Sequence, residues 1–244
     1  MQSRTVELQP AWVLHTRPYR ESSLLVDLLT QSHGRIAVVV NGARGTAAKN
    51  GRPRRGRLLQ PFAELLVSWS GKSELKTLKS LEQCRVLSLS GTRLFSGLYV
   101  NELLQRLLQP WEPVDGVTAL YVWLLENLAA DTHLERSLRL FEKRLLDALG
   151  YGLPLSFTAG SGDPMNLDGW YCYDPANGFW PLPEIEATGT VFPGTVFSGA
   201  MLQALADEVI EDSDLLPAKA LMRQAFKPLL GERPLRSREL FRIA

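Results

Sequence analysis

Residues 11–41 read AWVLHTRPYRESSLLVDLLTQSHGRIAVVVN, and this stretch decides the fold of the N-terminal part of the chain. Runs rich in Val, Leu, Ile and aromatic residues alternate in it with polar turns, a pattern typical of short strands. Two similar runs follow it along the chain. The predicted strands are 11–19, 23–30, 35–41, 62–69 and 74–81. Because five short antiparallel strands bury little as a flat sheet, the pattern predicts closure into a small barrel of the OB type.

A basic insert separates the third and fourth predicted strands. Residues 42–59 read GARGTAAKNGRPRRGRLL and contain six basic side chains and no acidic one. Arg and Lys that contact a phosphate backbone release its counterions, so such a segment suits nucleic acid. We therefore predict nucleic-acid contact in preference to an idle solvated loop. The predicted phosphate contacts in and beside the insert are Arg35, Arg44, Lys49, Arg52, Arg54, Arg55, Arg57, Lys72 and Lys76.

Four aromatic residues near the predicted barrel have two interpretations. These residues are Trp12, Tyr19, Phe62 and Trp69. Each either stacks on an unpaired base or fills the barrel interior, and the sequence leaves both interpretations open.

The charge of the chain is distributed unevenly. Its 27 Lys and Arg and 26 Asp and Glu give a net charge of +1. Residues 1–80 carry 13 basic and five acidic side chains, a net of +8, whereas the other 164 residues carry 14 and 21, a net of −7. This asymmetry indicates an anionic partner for the N-terminal part. No apolar run approaches the roughly 20 residues of a membrane span, and the N-terminus lacks a signal-peptide pattern. With only two cysteines, we expect a reduced, cytoplasmic protein without a membrane partner.

Beyond residue 93 the apolar residues recur with a helical period. The pattern predicts one helix that ends before Pro110, a second over 117–129, and a third with a capping box formed by Thr132 and Glu135. The helical period is missing from residues 151–197, which are rich in Gly, Pro and aromatic residues. This pattern predicts an irregular insertion. Ser198 and Ser213 are predicted N-caps of two final helices.

Catalytic and metal-binding patterns are missing from the sequence. It contains no Walker loop, no dinucleotide-binding glycine motif and no His pair at metal-ligand spacing. The three histidines, the two cysteines and the acidic run 207–214 all fit ordinary surface or core roles. We therefore predict neither an enzyme nor a cofactor. The basic residues over 219–242 suit either solubility or a second surface for an anionic ligand.

Several segments, in order along the chain, resemble the RecO family of bacterial DNA repair and recombination mediators. They read VLHTRPYRESSLLVDLLTQSHGRIAVVVNGAR, LLQPF, GKSELKTLKSLE, LFSGLYVNELLQRLL, LGYG and KPLLGERPLRSRELF. The resemblance implies an N-terminal OB-fold, a helical domain and a zinc-ribbon-like insertion. It also implies binding of single- and double-stranded DNA, annealing of complementary strands and, with RecR, loading of RecA onto DNA coated by the single-stranded DNA-binding protein, SSB.

The insertion departs from the family pattern at its metal ligands. Many members carry two CxxC pairs there, whereas this chain has FTAGSG at 157–162 and a single Cys172. We therefore expect an insertion without zinc, held together by aromatic packing. The aromatic residues expected to pack are Trp170, Tyr171, Tyr173, Phe179 and Trp180.

The resemblance also implies a pocket in the helical domain for the acidic, Phe-ending tail of SSB. The stretch LRLFE at 138–142 matches the helix that carries a basic contact in similar proteins, which indicates Arg139. Lys143 lies one turn further along and Leu145 is a candidate for the pocket wall. In the alternative interpretation, Arg139 is a solvated surface residue and Leu145 belongs to the core.

Together these observations predict an α+β protein with a five-stranded OB-fold barrel, a central and C-terminal helical domain, and an irregular zinc-ribbon-like insertion without metal ligands. The predicted domains are 1–81 for the barrel, 82–150 with 198–244 for the helical domain, and 151–197 for the insertion. The predicted function is that of a recombination mediator acting in the bacterial cytoplasm, at the nucleoid during repair. An RNA-binding OB-fold protein is the alternative.

Overall fold

A computed structural model describes residues 5–44, 55–130, 133–182 and 195–243. The chain divides into two compact units, residues 1–130 with 235–244 and residues 131–234. Of the helices in the described part, none combines the length and apolarity that a membrane span requires. The predicted division into three domains remains a prediction.

The first unit contains five strands, as the sequence predicts. They are β1 (Thr5–Tyr19), β2 (Ser23–Thr30), β3 (Gly34–Val40), β4 (Ala63–Ser70) and β5 (Lys76–Val86). Their order is β1-β2-β3-β5-β4, and β4 pairs with β1, so the sheet closes on itself as a small barrel. All neighbours are antiparallel except β3 and β5, which are parallel and pair Val38 with Lys76.

The interior of this closed sheet is apolar because alternate strand residues point inward. Val13, Val26, Leu28, Ile36 and Val38 are fully buried in one cluster. A short helix, α1 (Arg55–Leu58), precedes β4.

Helices α2 (Gly91–Leu107) and α3 (Val117–Ala129) follow β5 and lie where the helical period predicts them. β1 has an irregular register between Val13 and His15, which leaves the Leu14 carbonyl without a regular strand partner. Asn101 of α2 donates from Nδ2 to this carbonyl at 2.8 Å, and Tyr121 of α3 donates from its hydroxyl to Asn101 Oδ1 at 2.7 Å. These two buried hydrogen bonds attach α2 and α3 to the sheet.

The C-terminal helix, α7 (Ser237–Ile243), packs on α2 within the first unit. The Glu102 carboxylate accepts hydrogen bonds from the Arg236 and Ser237 amides at 2.9 and 2.8 Å and from Ser237 Oγ at 2.6 Å. The rings of Phe95 and Phe241 meet edge to face at 5.7 Å. Glu102 therefore caps the beginning of α7.

The second unit contains helices α4 (Leu134–Ala148), α5 (Gly199–Ala206) and α6 (Leu215–Leu230), with a 3-10 turn at Asp212–Asp214. Ser198 caps α5, as predicted, because its Oγ accepts from the Met201 amide at 3.3 Å. The prediction of Ser213 as a cap is wrong: it lies inside the 3-10 turn, and α6 begins after Asp214. Thr132, half of the predicted capping box of α4, lies outside the described residues.

Within the predicted irregular insertion, three short strands form a sheet. They are β6 (Trp170–Asp174), β7 (Gly178–Pro181) and β8 (Val196–Ser198), in the order β7-β6-β8. Phe179 is fully buried, with its ring centroid 4.9 Å from that of Tyr173, and Tyr171 is buried as well. The expected packing role of Trp170 is wrong, because this residue ends on the surface with 55% exposure.

Candidate nucleic-acid interface

Two connections of the closed sheet, the β1–β2 turn and the β3–β4 connection that contains α1, meet at one of its ends. The Arg44 amide, just beyond β3, donates to the Ser22 carbonyl in the β1–β2 turn at 2.9 Å, and Arg44 Nη1 donates to the Arg20 carbonyl at 3.2 Å. Gly56 of α1 lies so close to the end of β3 that a Cβ on it would stand 2.3 Å from the Ala43 carbonyl oxygen. The β1–β2 turn, the end of β3 and α1 are therefore in contact.

This convergence places five exposed arginines together. We call them the arginine end: Arg17, Arg20, Arg44, Arg55 and Arg57. Arg20 has a positive φ of 51° and its guanidinium lies 5.2 Å from the centre of the Tyr19 ring, so the turn holds this side chain in a defined position. Guanidinium groups on a solvent-facing surface bind phosphate oxygens well.

Lys72 and Lys76 have different surroundings although they are four residues apart. Lys72 is exposed in the turn between β4 and β5, ahead of the point at which β5 pairs with β3 through Lys76 and Val38. Lys76 is buried, donates from Nζ to the Gly71 carbonyl at 3.3 Å and lies 4.7 Å from the Trp111 ring centre. Its side chain thus contacts protein groups and not the solvent-facing surface.

Arg35 also makes internal contacts. Its Nε donates to the Leu108 carbonyl at 3.1 Å, and its Nη1 lies 3.5 Å from Asp27 Oδ1. The positions of Arg35 and Lys76 suit a role in joining α2 and its following loop to the sheet. Three further predicted contacts, Lys49, Arg52 and Arg54, lie outside the described residues.

Arg17 and Arg20 are surface cations that the sequence reasoning missed. Both flank the Pro18-Tyr19 pair at the end of a predicted strand, next to a predicted turn. Two arginines beside a predicted turn were the available signal.

Among the four aromatics, Trp69 is buried in the core of the closed sheet, which favours the barrel-filling interpretation for it. Phe62 is buried with its ring beside α2, where a Cβ on Gly97 would stand 2.8 Å from it. Trp12 and Tyr19 are half-buried.

The described residues do not fit a zinc site. Cys172 is buried on β6, and burial raises the pKa of its thiol, whereas zinc binds a thiolate. No three His, Cys, Asp or Glu side chains in the described ranges lie together as metal ligands.

His33 packs edge to face on Trp69 at 5.2 Å, and burial lowers the pKa of its imidazole, so it suits a neutral packing role.

Arg139 of α4 is 3% exposed, and its Nη1 lies 2.7 Å from Glu142 Oε2 one turn along the same helix. Leu145 is fully buried, and Lys143 binds Glu208 Oε1 from Nζ at 3.1 Å. The three residues predicted for the SSB tail thus lie on one helix, two of them buried. Arg139 Nε is buried and has no hydrogen-bond acceptor among the residues that the structure describes.

Comparison with known families assigns the whole chain. The family described as Recombination protein O N terminal matches residues 2–87, and Recombination protein O C terminal matches residues 88–239. The chain belongs to the RecO family. It is 44% identical over 238 residues to the DNA repair protein RecO of Cellvibrio japonicus, with 97% of each chain covered.

Two other relatives carry the same description. The DNA repair protein RecO of Haemophilus influenzae strain PittGG is 42% identical over 236 residues, which is 96% of this chain and 95% of the relative. That of Yersinia pestis strain Pestoides F is 44% identical over 240 residues, 96% and 93% of the two chains. This RecO-family protein is therefore a DNA repair and recombination mediator, and the RNA-binding alternative has no support.

Proposed function

We propose that this RecO-family protein binds single- and double-stranded DNA at the arginine end of an OB-fold, and that it anneals complementary strands there. The observation that carries this proposal is the convergence of five exposed arginines from the end of β1, the β1–β2 turn and the β3–β4 connection. The strand order β1-β2-β3-β5-β4 agrees with a five-stranded OB barrel. Binding and annealing need no bond-breaking step and no nucleotide.

The salt dependence of binding tests this interface quantitatively. Each contact with a single-stranded phosphate contributes about −0.7 to the slope of log K against log salt, so five contacts give about −3.5. Replacing Arg44, Arg55 and Arg57 together by Ala leaves two contacts and a slope of about −1.4. The measurement is fluorescence anisotropy of a labelled oligo-dT over a salt series.

The control variant removes exposed cations that lie outside the arginine end. Arg223 and Lys227 lie exposed on α6 in the second unit. Replacing both by Ala should leave the slope within experimental error of the unmodified protein. An equal loss of affinity in both variants would show that binding depends on overall charge and not on the arginine end.

Annealing is measured directly with two complementary labelled oligonucleotides, without nucleotide and with the unmodified protein as the reference. We expect the triple Arg variant to anneal more slowly in proportion to its lost binding. Normal annealing by a variant that no longer binds DNA would contradict the proposal.

We further propose that the protein acts in the cytoplasm with RecR to load RecA onto SSB-coated DNA, and that the acidic, Phe-ending SSB tail binds at Arg139, Lys143 and Leu145. What supports this site is Arg139 Nε, which has no hydrogen-bond acceptor among the described residues. The tail carboxylate competes with Glu142 for the guanidinium, and Lys143 contacts the acidic residues that precede the Phe.

A labelled tail peptide tests this site. Arg139→Ala and Lys143→Ala should each weaken binding, whereas Arg136→Ala, on the same helix, should not. Unchanged affinity in Arg139→Ala, in a protein with an unaltered circular dichroism spectrum, would refute the assignment.

A further inference from the structure

A groove of about 540 Å³ lies in the first unit between α3 and the strands β1 and β2. Trp12 of β1 and Trp123 of α3 are among its walls, and both are half-buried. Ala119 and Val122 supply the helix side, and Gln31, just beyond β2, supplies the sheet side. Aromatic and aliphatic side chains therefore line part of the groove, and polar side chains such as Thr118 and Gln31 line the rest.

The charged residues of the groove are acidic. Asp115 and Glu126 are among its lining residues, and no Lys, Arg or His lines it within the described part of the chain. Arg85 binds Glu126 at 3.1 Å, but both side chains of this pair are 51% exposed, and such pairs contribute little in water. Two carboxylates thus border a partly apolar groove in the unit that also carries the arginine end.

This combination disfavours nucleic acid as the occupant. Aromatic walls suit a base, but a base arrives with its phosphate, and carboxylates repel phosphate. An apolar surface bordered by carboxylates complements a peptide whose apolar side chains are flanked by Lys or Arg.

The length of the groove limits the size of the occupant. The lining residues on α3 extend from Thr118 to Glu126, which corresponds to about 12 Å along a helix axis. That distance fits about four residues of extended peptide or two turns of helix. Asp115 precedes α3 and Glu126 lies near its end, so the two carboxylates are placed for basic residues at both ends of the peptide.

We propose that this groove docks a short segment of a partner protein in which about four apolar residues are flanked on both sides by Lys or Arg. This role is independent of the DNA interface and extends the function of the first unit to the recognition of a protein partner.

A defined peptide tests the proposal on the full-length protein. The probe is fluorescein-labelled Lys-Lys-Leu-Phe-Leu-Leu-Lys-Lys, measured by anisotropy beside a version with Glu at each Lys position and a version with Ser and Gly at the apolar positions. We expect the first peptide to bind at least tenfold more tightly than either control. Equal binding of all three would overturn the proposal.

Ala119→Arg places a long cationic side chain in the groove from an exposed helix position, where Arg is a good helix former. It should lower the affinity for the Lys-flanked peptide at least tenfold. Ala129→Arg, at the exposed end of the same helix and outside the groove, is the matched control and should bind normally. Unchanged binding in Ala119→Arg would overturn the proposal.

Two other occupants give different results. If Ala119→Arg abolishes a dimer that light scattering detects in the unmodified protein, the groove holds a second copy of the chain. If Ala119→Arg weakens oligo-dT binding, the groove holds a base. Either result would overturn the proposal, and neither affects the test of the arginine end.

Discussion

The hydrogen bonds at the irregularity of β1 provide the most direct test of how the helices hold the closed sheet. Tyr121 is fully buried, and its hydroxyl donates to Asn101 Oδ1 at 2.7 Å. Asn101 Nδ2 in turn donates to the Leu14 carbonyl at 2.8 Å. Burial raises the pKa of the Tyr121 phenol, so this side chain is a neutral donor at any pH at which the protein is studied.

Tyr121→Phe removes the donor and leaves Asn101 Oδ1 buried without that partner, which costs about 1–3 kcal/mol. Asn101→Ala removes the hydrogen-bond partner of two buried groups, the Leu14 carbonyl and the Tyr121 hydroxyl. Its loss of unfolding free energy should be about twice that of Tyr121→Phe. When Asn101→Ala is already present, the Tyr121 hydroxyl has lost its acceptor, and Tyr121→Phe removes that hydroxyl. Tyr121→Phe should therefore cost close to nothing there, which gives a coupling free energy of at least about 1 kcal/mol.

Urea unfolding followed by tryptophan fluorescence measures these free energies. The first unit contains four of the six tryptophans, Trp12, Trp69, Trp111 and Trp123, so the signal reports mainly on it. The slope of the free energy against urea should stay constant across the four proteins. If Tyr121→Phe costs as much in the Asn101→Ala background as in the unmodified protein, the two hydrogen bonds do not act as a unit and the reasoning is refuted.

Three further predictions concern stability. Partial burial alone would raise the pKa of Glu102, but hydrogen bonds from Ser237 and Arg236 and the charge of Arg106 lower it. The ionised Glu102 therefore stabilises the protein above about pH 4.3. This stabilisation is lost as the pH falls through the lowered pKa. Glu102→Gln should reduce stability at pH 7 and flatten the acid limb of a plot of melting temperature against pH. Gly34→Ala should lower the free energy of unfolding clearly more than Gly42→Ala. Both glycines have a φ of +64°, but only at Gly34 would a Cβ meet the Glu112 carbonyl oxygen, at 2.2 Å. Urea midpoints measure this difference. The hydrogen bond from Arg144, and the further contact with Lys143, lower the pKa of Glu208, so Glu208→Gln should lower the melting temperature at pH 7 and have a smaller effect below about pH 4.

The strands and the first two long helices could be predicted from sequence because their patterns are local. Runs of Val, Leu and Ile bounded by polar turns placed β2 and β3 within one residue of their observed limits, and the helical period gave about the observed range of α3, Val117–Ala129. The irregularity of β1 at Leu14 could not be predicted in this way. It depends on Asn101, a residue 87 positions away that satisfies the freed carbonyl.

In the candidate interface, too, the surroundings of several cations depend on residues that are distant in the sequence. Lys72 lies in a predicted turn and Lys76 in a predicted strand, but the local sequence does not show that Trp111, from the loop after α2, lies over Lys76, which is buried. Arg139 matches a basic family position, but its pairing with Glu142 and its burial depend on how α4 packs. Sequence composition gives the number of cations, whereas long-range packing decides which of them reach solvent.

The positions of the arginine end and the α3 groove imply that the two surfaces function separately. Ser22, which binds the Arg44 amide, immediately precedes β2, and Gln31 of the groove immediately follows it. An eight-residue strand spans roughly 25 Å, about three Debye lengths at physiological ionic strength. The charge introduced by Ala119→Arg is therefore screened from DNA at the arginine end, and the Arg44, Arg55 and Arg57 substitutions are screened from a peptide in the groove. Since the two proposed surfaces also lie beside opposite ends of β2, we expect DNA and the peptide to bind one protein molecule simultaneously, each with the affinity that it has alone.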